Sequence, residues 1–334
     1  MVMPMPLPTG KVDPHKLAKL VFPHIKLNDP RVLVGPKLGV DAAVVSFGEK
    51  VLVLSSDPIT GALHDPGWLA VHINANDVAT MGAKPSWFLA DLFAPENCGE
   101  GLIQKLVKRM SAACEEIGVS LVGGHTEVTP GLDRVIISGA MIGEAEKDKF
   151  VTSAGAKPGD KIIMTKSAAI EGTAILAFDR EKELENALGR DLVNRAKKFM
   201  RKISVVKDAL VAINAGGVTA MHDPTEGGIV GGLFEMAEAS GVGFSVSSSA
   251  IKVERETEMI CDYFDMDPLR TISSGCLLIA ADPKMAERVV SALSSNDIPA
   301  KEIGVITPDP KERLIDGKRL SFPKQDHLWR VFKS

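Results

Sequence analysis

The chain has 334 residues, with 39 Lys and Arg against 43 Asp and Glu, a formal net charge of -4 and no basic run; nucleic acid and anionic membrane are therefore excluded as expected partners. A single core usually stops growing before this length, so two domains are expected. Four scattered cysteines, Cys98, Cys114, Cys261 and Cys276, form neither a zinc pattern nor a disulfide framework, and one Tyr beside twelve Phe and three Trp offers few platforms for stacking bases.

The segment Met1 to Pro8 is apolar but broken by proline and lacks a basic flank, so it reads as neither signal peptide nor membrane span. The expected location is the cytoplasm. Asp13-Pro14 opens a short helix to Val21, Asp capping the free amides and Pro fitting the first turn. The β-rich runs Ala43 to Ser46 and Lys50 to Ser55 are joined at Gly48-Glu49, which predicts a hairpin. Asp65-Pro66 starts a helix that ends near Met81, before Gly82 and Pro85. A strand over Trp87 to Phe93, a helix over Gly99 to Ile117, and strands over Val119 to Val122 and Val135 to Gly143 complete a β-β-α-β-α-β-β half.

Lys157-Pro158-Gly159-Asp160 is a turn before a fresh strand, Lys161 to Thr165, and places a domain boundary near Gly155. Arg180 to Asn214 is helical and charge-rich, as in a solvated outer layer. Val218 to Met221 is a strand, a sharp turn follows, and Gly228 to Ser240 is a helix. The expected class is α/β, with mixed sheets covered by helices on one face in each half. The divisions are a leader with its short helix over residues 1–30, an N-terminal domain over 31–154 and a C-terminal domain over 155–334.

The chemistry lies where carboxylates and glycines meet strand ends. Asp41, in Gly39-Val40-Asp41-Ala42-Ala43, and Asp57, after Ser55-Ser56, both sit at strand mouths. Either alone reads rather as a turn cap. Asp77 lies in a helix of apolar and small residues and shares a face with Asn74, three positions earlier. A carboxylate in a helix suited to burial needs a partner: an internal cap, an ion pair with Lys84, or a metal. Asp223, in His222-Asp223-Pro224-Thr225-Glu226-Gly227-Gly228, stands where a strand turns into a helix, a geometry in which backbone amides can approach a phosphate. Gly123-Gly124-His125-Thr126-Glu127 reads as a second loop of this kind. Hard oxygen donors and diglycine turns together point to Mg²⁺ and phosphate.

The segments GVDAAVV (Gly39 to Val45), SSD (Ser55 to Asp57), NANDVATMGAKP (Asn74 to Pro85), GGHTEV (Gly123 to Val128) and HDPTEGGI (His222 to Ile229), in this order, resemble the aminoimidazole ribonucleotide synthetase superfamily. That superfamily includes selenophosphate synthetase, thiamine-monophosphate kinase and the hydrogenase maturation protein HypE, and the texture here is nearest to HypE. The likeness runs from about Val34 to Ala280. It implies that Asp41, Asp57, Asp77 and Asp223 bind Mg²⁺ on the phosphates of ATP. It also implies that Gly123, Gly124 and Thr126 touch nucleotide, often from a partner subunit. The implied fold is a two-domain protomer whose N-terminal sheets close a barrel across a homodimer. Asn74, Gly227 and Gly228 complete the expected nucleotide set; His125, His222 and Glu171 are candidates for acid, base or second-substrate contacts, and Lys84 and Lys166 for phosphate contacts.

The resemblance further implies phosphoryl transfer from ATP to an oxygen of a small substrate. A HypE-type factor working with hydrogenase maturation proteins, an ATP-binding scaffold and a small-molecule kinase are the alternatives. Val40 replaces the first acid of the usual pair, Glu226 stands where HypE carries Arg, and Ser334 stands where HypE carries its terminal Cys.

Overall fold

The computed structural model describes Leu7, residues 10–61 and residues 64–332; Ser334 lies outside the described residues. Among them, strands form two sheets. The first has the order β1-β2-β3-β6-β4-β5, from Val32–Val34 (β1), Ala43–Phe47 (β2), Lys50–Ile59 (β3), Lys84–Pro95 (β4), Ser120–Thr129 (β5) and Ile136–Glu146 (β6). Only β4 and β5 pair in parallel within it. The expected hairpin is present, with Phe47 opposite Lys50.

One face of this sheet carries helix α2 (Pro66–Thr80), with α3 (Glu100–Glu116) packed outside it. Every residue of α2 is buried, as a helix apolar on all sides requires. Two glycines of β6 let it lie close to the sheet. A Cβ on Gly139 would stand 2.5 Å from Asn74 Nδ2, and one on Gly143 would stand 2.4 Å from Val78 Cγ1. Asp65 precedes α2 but makes no side-chain cap; its carboxylate is taken by Arg109 of α3. Asp13, by contrast, caps α1 (Pro14–Leu20) by accepting from His15 N and Lys16 N.

The second sheet has the order β13-β12-β9-β11-β7-β10-β8. Its strands are Lys161–Thr165 (β7), Val218–His222 (β8), Gly243–Val246 (β9), Leu278–Ala281 (β10), Ala300–Thr307 (β11), Arg313–Ile315 (β12) and Lys318–Arg319 (β13). Here the expectation of helices on one face is corrected. On β7 and β10, Ile162, Met164, Leu278 and Ala280 pack towards α8 (Gly228–Ser240), while Ile163, Ile279 and Ala281 join the core of α2, α7 (Val206–Ala215) and α10 (Ala286–Ser294). Both faces are covered because both sets of alternating side chains are apolar.

Helix α2 therefore belongs to the cores of both halves. Asn76 clamps the junction, donating to Ile203 O at 2.9 Å and accepting from Val205 N at 2.8 Å. The expected solvated layer over Arg180 to Asn214 is broken into α5 (Glu181–Leu188), α6 (Arg190–Lys197) and α7, the first two packed against α4 (Ile170–Asp179), and it is not merely a surface. With α9 (Arg255–Tyr263) and α11 (Leu328–Val331) it encloses a third apolar cluster around Leu176, Leu184 and Val193. No described helix is long and apolar enough to cross a membrane.

Candidate functional site

The four aspartates come from four separated elements and line one cavity of about 270 Å³ between the two sheets. Asp41 immediately precedes β2, Asp57 lies near the end of β3, Asp77 is in the last turn of α2, and Asp223 follows β8. Three of them are held from behind. Ser55 Oγ donates to Asp77 Oδ2 at 2.5 Å. Thr80 Oγ1 and Ser153 Oγ donate to Asp41 Oδ2 at 3.3 and 3.2 Å. Asn74 accepts from Asp57 N at 2.8 Å and donates to Asp57 O at 3.0 Å, fixing the backbone that carries that carboxylate.

Asp223 is 1% exposed, and neither of its oxygens has a hydrogen-bond partner among the described residues. Burial pushes Asp77 and Asp223 well above the usual carboxylate range, and the neighbouring carboxylates push them further. Asp57 is raised for the same first reason, against the pull of Lys11. Such a cluster is unfavourable by itself, because buried acceptors without donors and like charges at close range both cost free energy. A hard cation resolves both. Mg²⁺ takes oxygen ligands, and the donor set here consists of carboxylate oxygens. Asp41, His222 and Asp223 also bring potential ligand atoms within 4.8 Å of one another.

His222, read from the sequence as an acid or base, is 3% exposed and held on both sides. Its Nδ1 is 2.8 and 3.0 Å from the two oxygens of Asp41, and its Nε2 is 2.8 Å from Glu235 Oε2. Burial alone would discharge the ring, but Asp41 and Glu235 outweigh it and raise its pKa well above the ordinary histidine value. The same contacts, with Lys11, hold Glu235 down at about 2 against its own burial. His222 is a bridge between carboxylates. Glu235→Gln therefore costs about 1.5–3 kcal/mol of stability at neutral pH, the usual loss for a hydrogen bond to a charged group. Urea denaturation reads it, and a loss below about 0.5 kcal/mol would show that the bridge does not depend on Glu235.

Several expected contacts are placed elsewhere. Gly123 and Gly124 do not form a loop: β5 continues through them to Thr129, pairing in parallel with β4, and a Cβ on Gly124 would stand 1.9 Å from Ala90 O. Thr126 and His125 lie on the same exposed edge strand, away from the cavity, with His125 Nε2 3.5 Å from Glu127. Gly227 and Gly228 sit at the start of α8, but their amides are spent inside the chain, on Asp326 Oδ2 at 2.6 Å and Thr225 O at 3.0 Å. The Asn74 amide is likewise committed to Asp57 and Ala70. Lys84 is exposed on β4 and makes no ion pair with Asp77 among the described residues, while Lys166 Nζ is tied to Ser204 O at 2.8 Å and to Asp208. Glu171 is buried in the first turn of α4, its Oε2 has no partner among the described residues, and burial raises it to about 7.

Two residues absent from the sequence reading belong to the site. Glu235 could have been found by the logic applied to Asp77, since it is a carboxylate on the apolar stretch of its helix. Lys11 carried no signal. Its Nζ lies 3.8 Å from Glu235 Oε1, so a half-exposed ammonium from the leader lines the cavity of carboxylates.

Two mixed sheets sharing one helix, with converging carboxylates between them, define the class of protein. Residues 39–145 match the N-terminal domain, and residues 157–317 the C-terminal domain, of the AIR synthase related proteins, and the chain belongs to that family. Within it, the likeness runs to proteins of hydrogenase assembly. A protein of Methanocaldococcus jannaschii, provisionally named for hydrogenase expression/formation, is 30% identical over 96% of this chain and 97% of its own. The carbamoyl dehydratase HypE of Rhizobium leguminosarum bv. viciae is 31% identical over 82% of this chain and 78% of that one. Among solved structures, the hydrogenase maturation protein HypE in complex with ATP is 25% identical, with a TM-score of 0.66, over 90% of this chain and 88% of that one.

Proposed function

We propose that this protein is a cytoplasmic, Mg²⁺-dependent enzyme that binds ATP and transfers a phosphoryl group to an oxygen of a small or carrier-bound substrate. The observation that carries the reading is Asp223, a fully buried carboxylate with both oxygens unpartnered, facing the same cavity as Asp41, Asp57 and Asp77. Mg²⁺, held by these four, supplies charge neutralisation for phosphates. The chain's own residues do the positioning: Ser55 sets Asp77, Thr80 and Ser153 set Asp41, and Asn74 fixes the backbone of Asp57. Lys11 adds a positive charge at the cavity wall. The ATP complex of a HypE relative supports the nucleotide. Calorimetry with ATP tests the reading: binding that appears only with Mg²⁺ supports it, and no binding in either condition rejects it. A screen of small acceptors with labelled ATP then identifies the second substrate.

The working unit in this reading is a homodimer. Among the described residues strand β5 has a neighbour on one side only, and Val122 and Val128 on it are 53% and 50% exposed. An unpaired strand with exposed apolar side chains is a template for pairing with another chain. Pairing through β5 would close the barrel and carry Gly123, Gly124 and Thr126 to the partner's nucleotide. Val122→Lys with Val128→Lys is expected to halve the mass measured by light scattering; an unchanged mass rejects this edge as the interface.

A second reading is favoured by the nearly full-length match to the M. jannaschii protein: a HypE-type factor in hydrogenase maturation. Capture of a carbamoyl-donating maturation protein, with carbamoyl transfer to this chain, would support it. Neither binding nor transfer leaves phosphoryl transfer to a free small molecule.

A further inference from the structure

A cavity of about 660 Å³ opens between α2 and α3 of the N-terminal half and α4 and α6 of the C-terminal half, and it shares no lining residue with the metal-phosphate cavity. Helix α2 serves both. Trp68 in its first turn lines this cavity and Asp77 in its last turn lines the other; at the rise of an α-helix the two positions stand about 14 Å apart. The volume falls within the roughly 300–1,000 Å³ of small-molecule sites.

The N-terminal wall is apolar and fixed. Trp68 is 6% exposed; its Nε1 donates to Glu116 Oε2 at 2.9 Å, and its ring lies against that of His72 with centroids 3.8 Å apart. A Cβ on Gly67 would stand 2.9 Å from Leu106 O, so α2 and α3 meet without slack at this end. The C-terminal wall carries Phe178, near the end of α4, and the buried Met200. The Phe178 ring is stacked on that of His64, centroids 3.6 Å apart and planes 6° from parallel, which joins the two walls.

The charges on these walls do not balance. Four cations, Arg109, Lys197, Lys198 and Arg201, are set against Asp65 and Glu116, in a chain of net charge -4. Arg109 is paired with Asp65, and Lys197 with Glu181. Glu116 is taken by Trp68 and by His72, whose Nε2 lies 3.3 Å from the same oxygen. Lys198 and Arg201 are exposed and make no ion pair among the described residues. Both belong to the 3₁₀ turn Lys198–Lys202, in which side chains three apart eclipse, so an ammonium and a guanidinium share one face without a counter-ion. Like charges at that spacing oppose each other, and an acid group held by both relieves the repulsion.

We propose that this junction cavity binds a small organic anion: a flat apolar body lies against Trp68, Phe178 and Met200, and one carboxylate or phosphate group is held by Lys198 and Arg201. The site is independent of the nucleotide reading, since the two cavities have no residue in common. Because its walls come from both halves, an occupied cavity ties them together and stabilises the folded chain by mass action.

Anilinonaphthalene sulfonate, a flat apolar body with one fixed negative charge, is the probe, titrated by fluorescence into the full chain. Lys198→Ala with Arg201→Ala is expected to weaken its binding about tenfold or more, with the thermal unfolding midpoint unchanged because both positions are exposed. Phenylnaphthylamine, which has a similar body and no charge, is expected to bind wild type about tenfold more weakly and to be indifferent to the double variant. Displacement of the sulfonate by phenyl phosphate and by phenylacetate shows which acid group the cavity takes, and inorganic phosphate, the charge without the body, displaces it far less well than the better of the two. A sulfonate that does not bind, or that binds wild type and double variant equally, overturns the proposal. So does an uncharged analogue that binds as tightly as the sulfonate, or inorganic phosphate that displaces as well as the aryl acids.

Discussion

Asp77→Asn abolishes Mg²⁺-dependent nucleotide binding while making the ligand-free protein more stable. The two effects have one cause. Asp77 is 6% exposed, receives one hydrogen bond, from Ser55, and shares its cavity with three other carboxylates. Burial and those neighbours disfavour its charged form, so an isosteric neutral amide relieves desolvation and repulsion together. The expected gain is about 0.5–2 kcal/mol, typical of relieving strain held at a functional site. The same charge is what a cation needs. Loss of one ligand weakens metal-dependent binding by roughly 10²-fold or more, because the remaining groups cannot restore the charge balance around the phosphates. Thermal unfolding and calorimetry on one sample read both signs. A variant that unfolds earlier and still binds with Mg²⁺ would falsify the assignment of Asp77 to the metal.

Stability of the metal-free protein falls as pH rises from about 5 to about 8, and millimolar Mg²⁺ flattens that slope. Asp57, Asp77 and Asp223 all have folded pKa values raised above their unfolded values, first by burial. For such a carboxyl the folded protein holds the proton more tightly than the unfolded chain. Between the unfolded value near 4 and the raised folded value, each unit of pH then costs stability. His222 acts with the same sign: its raised pKa contributes stability that is fully present below the unfolded value near 6.5 and is lost as pH climbs through the folded one. Asp326 and Glu171, each raised to about 7 by burial, add to the slope. Burial lowers His72 to about 4 and lowers His64 and His327, and these three oppose the slope below about pH 6.5, so it is steepest above that value, whereas Glu235 opposes it only outside this window. Held at about 2, it contributes stability that is lost as pH falls below the normal carboxylate range. A cation bound to the ionised cluster removes the penalty, so the Mg²⁺ effect is largest at the alkaline end and vanishes near pH 5. Denaturation midpoints across this range, with Mg²⁺ and with chelator, measure it. A profile that rises with pH, or one indifferent to Mg²⁺, would contradict a cation site among these carboxylates.

Most elements were legible, because the chain obeys local rules where its periodicity is strong. The hairpin of β2 and β3, the buried α2 and the helix after Asp223 lie where hydrophobic pattern, Pro and Gly place them. The four aspartates were legible as a set for a different reason: each stands beside a strand end or in a helix too apolar to carry a free carboxylate. The diglycines misled. Gly123-Gly124 has loop composition, yet β4 offers a parallel edge that keeps it extended, and the amides of Gly227-Gly228 are already used, one by Asp326 from far along the chain and one by Thr225 O within the turn. The histidines divided in the same way. His125 ends on an open edge and His222 between two carboxylates, and turn composition cannot tell these apart.

By itself the sequence determined the class and the order of the main elements and singled out four carboxylates, because those depend on near-neighbour pattern and on residue type. Only the tertiary structure decided how they are used. It brought Asp41, Asp57, Asp77 and Asp223 from four elements to one cavity, placed Lys11 and Glu235 beside them, and set Asp326 against an amide 99 positions earlier. Such contacts are fixed by the packing of α2 against both sheets and by the return of the C-terminal segment over the α8 turn. No local spacing in the chain encodes either.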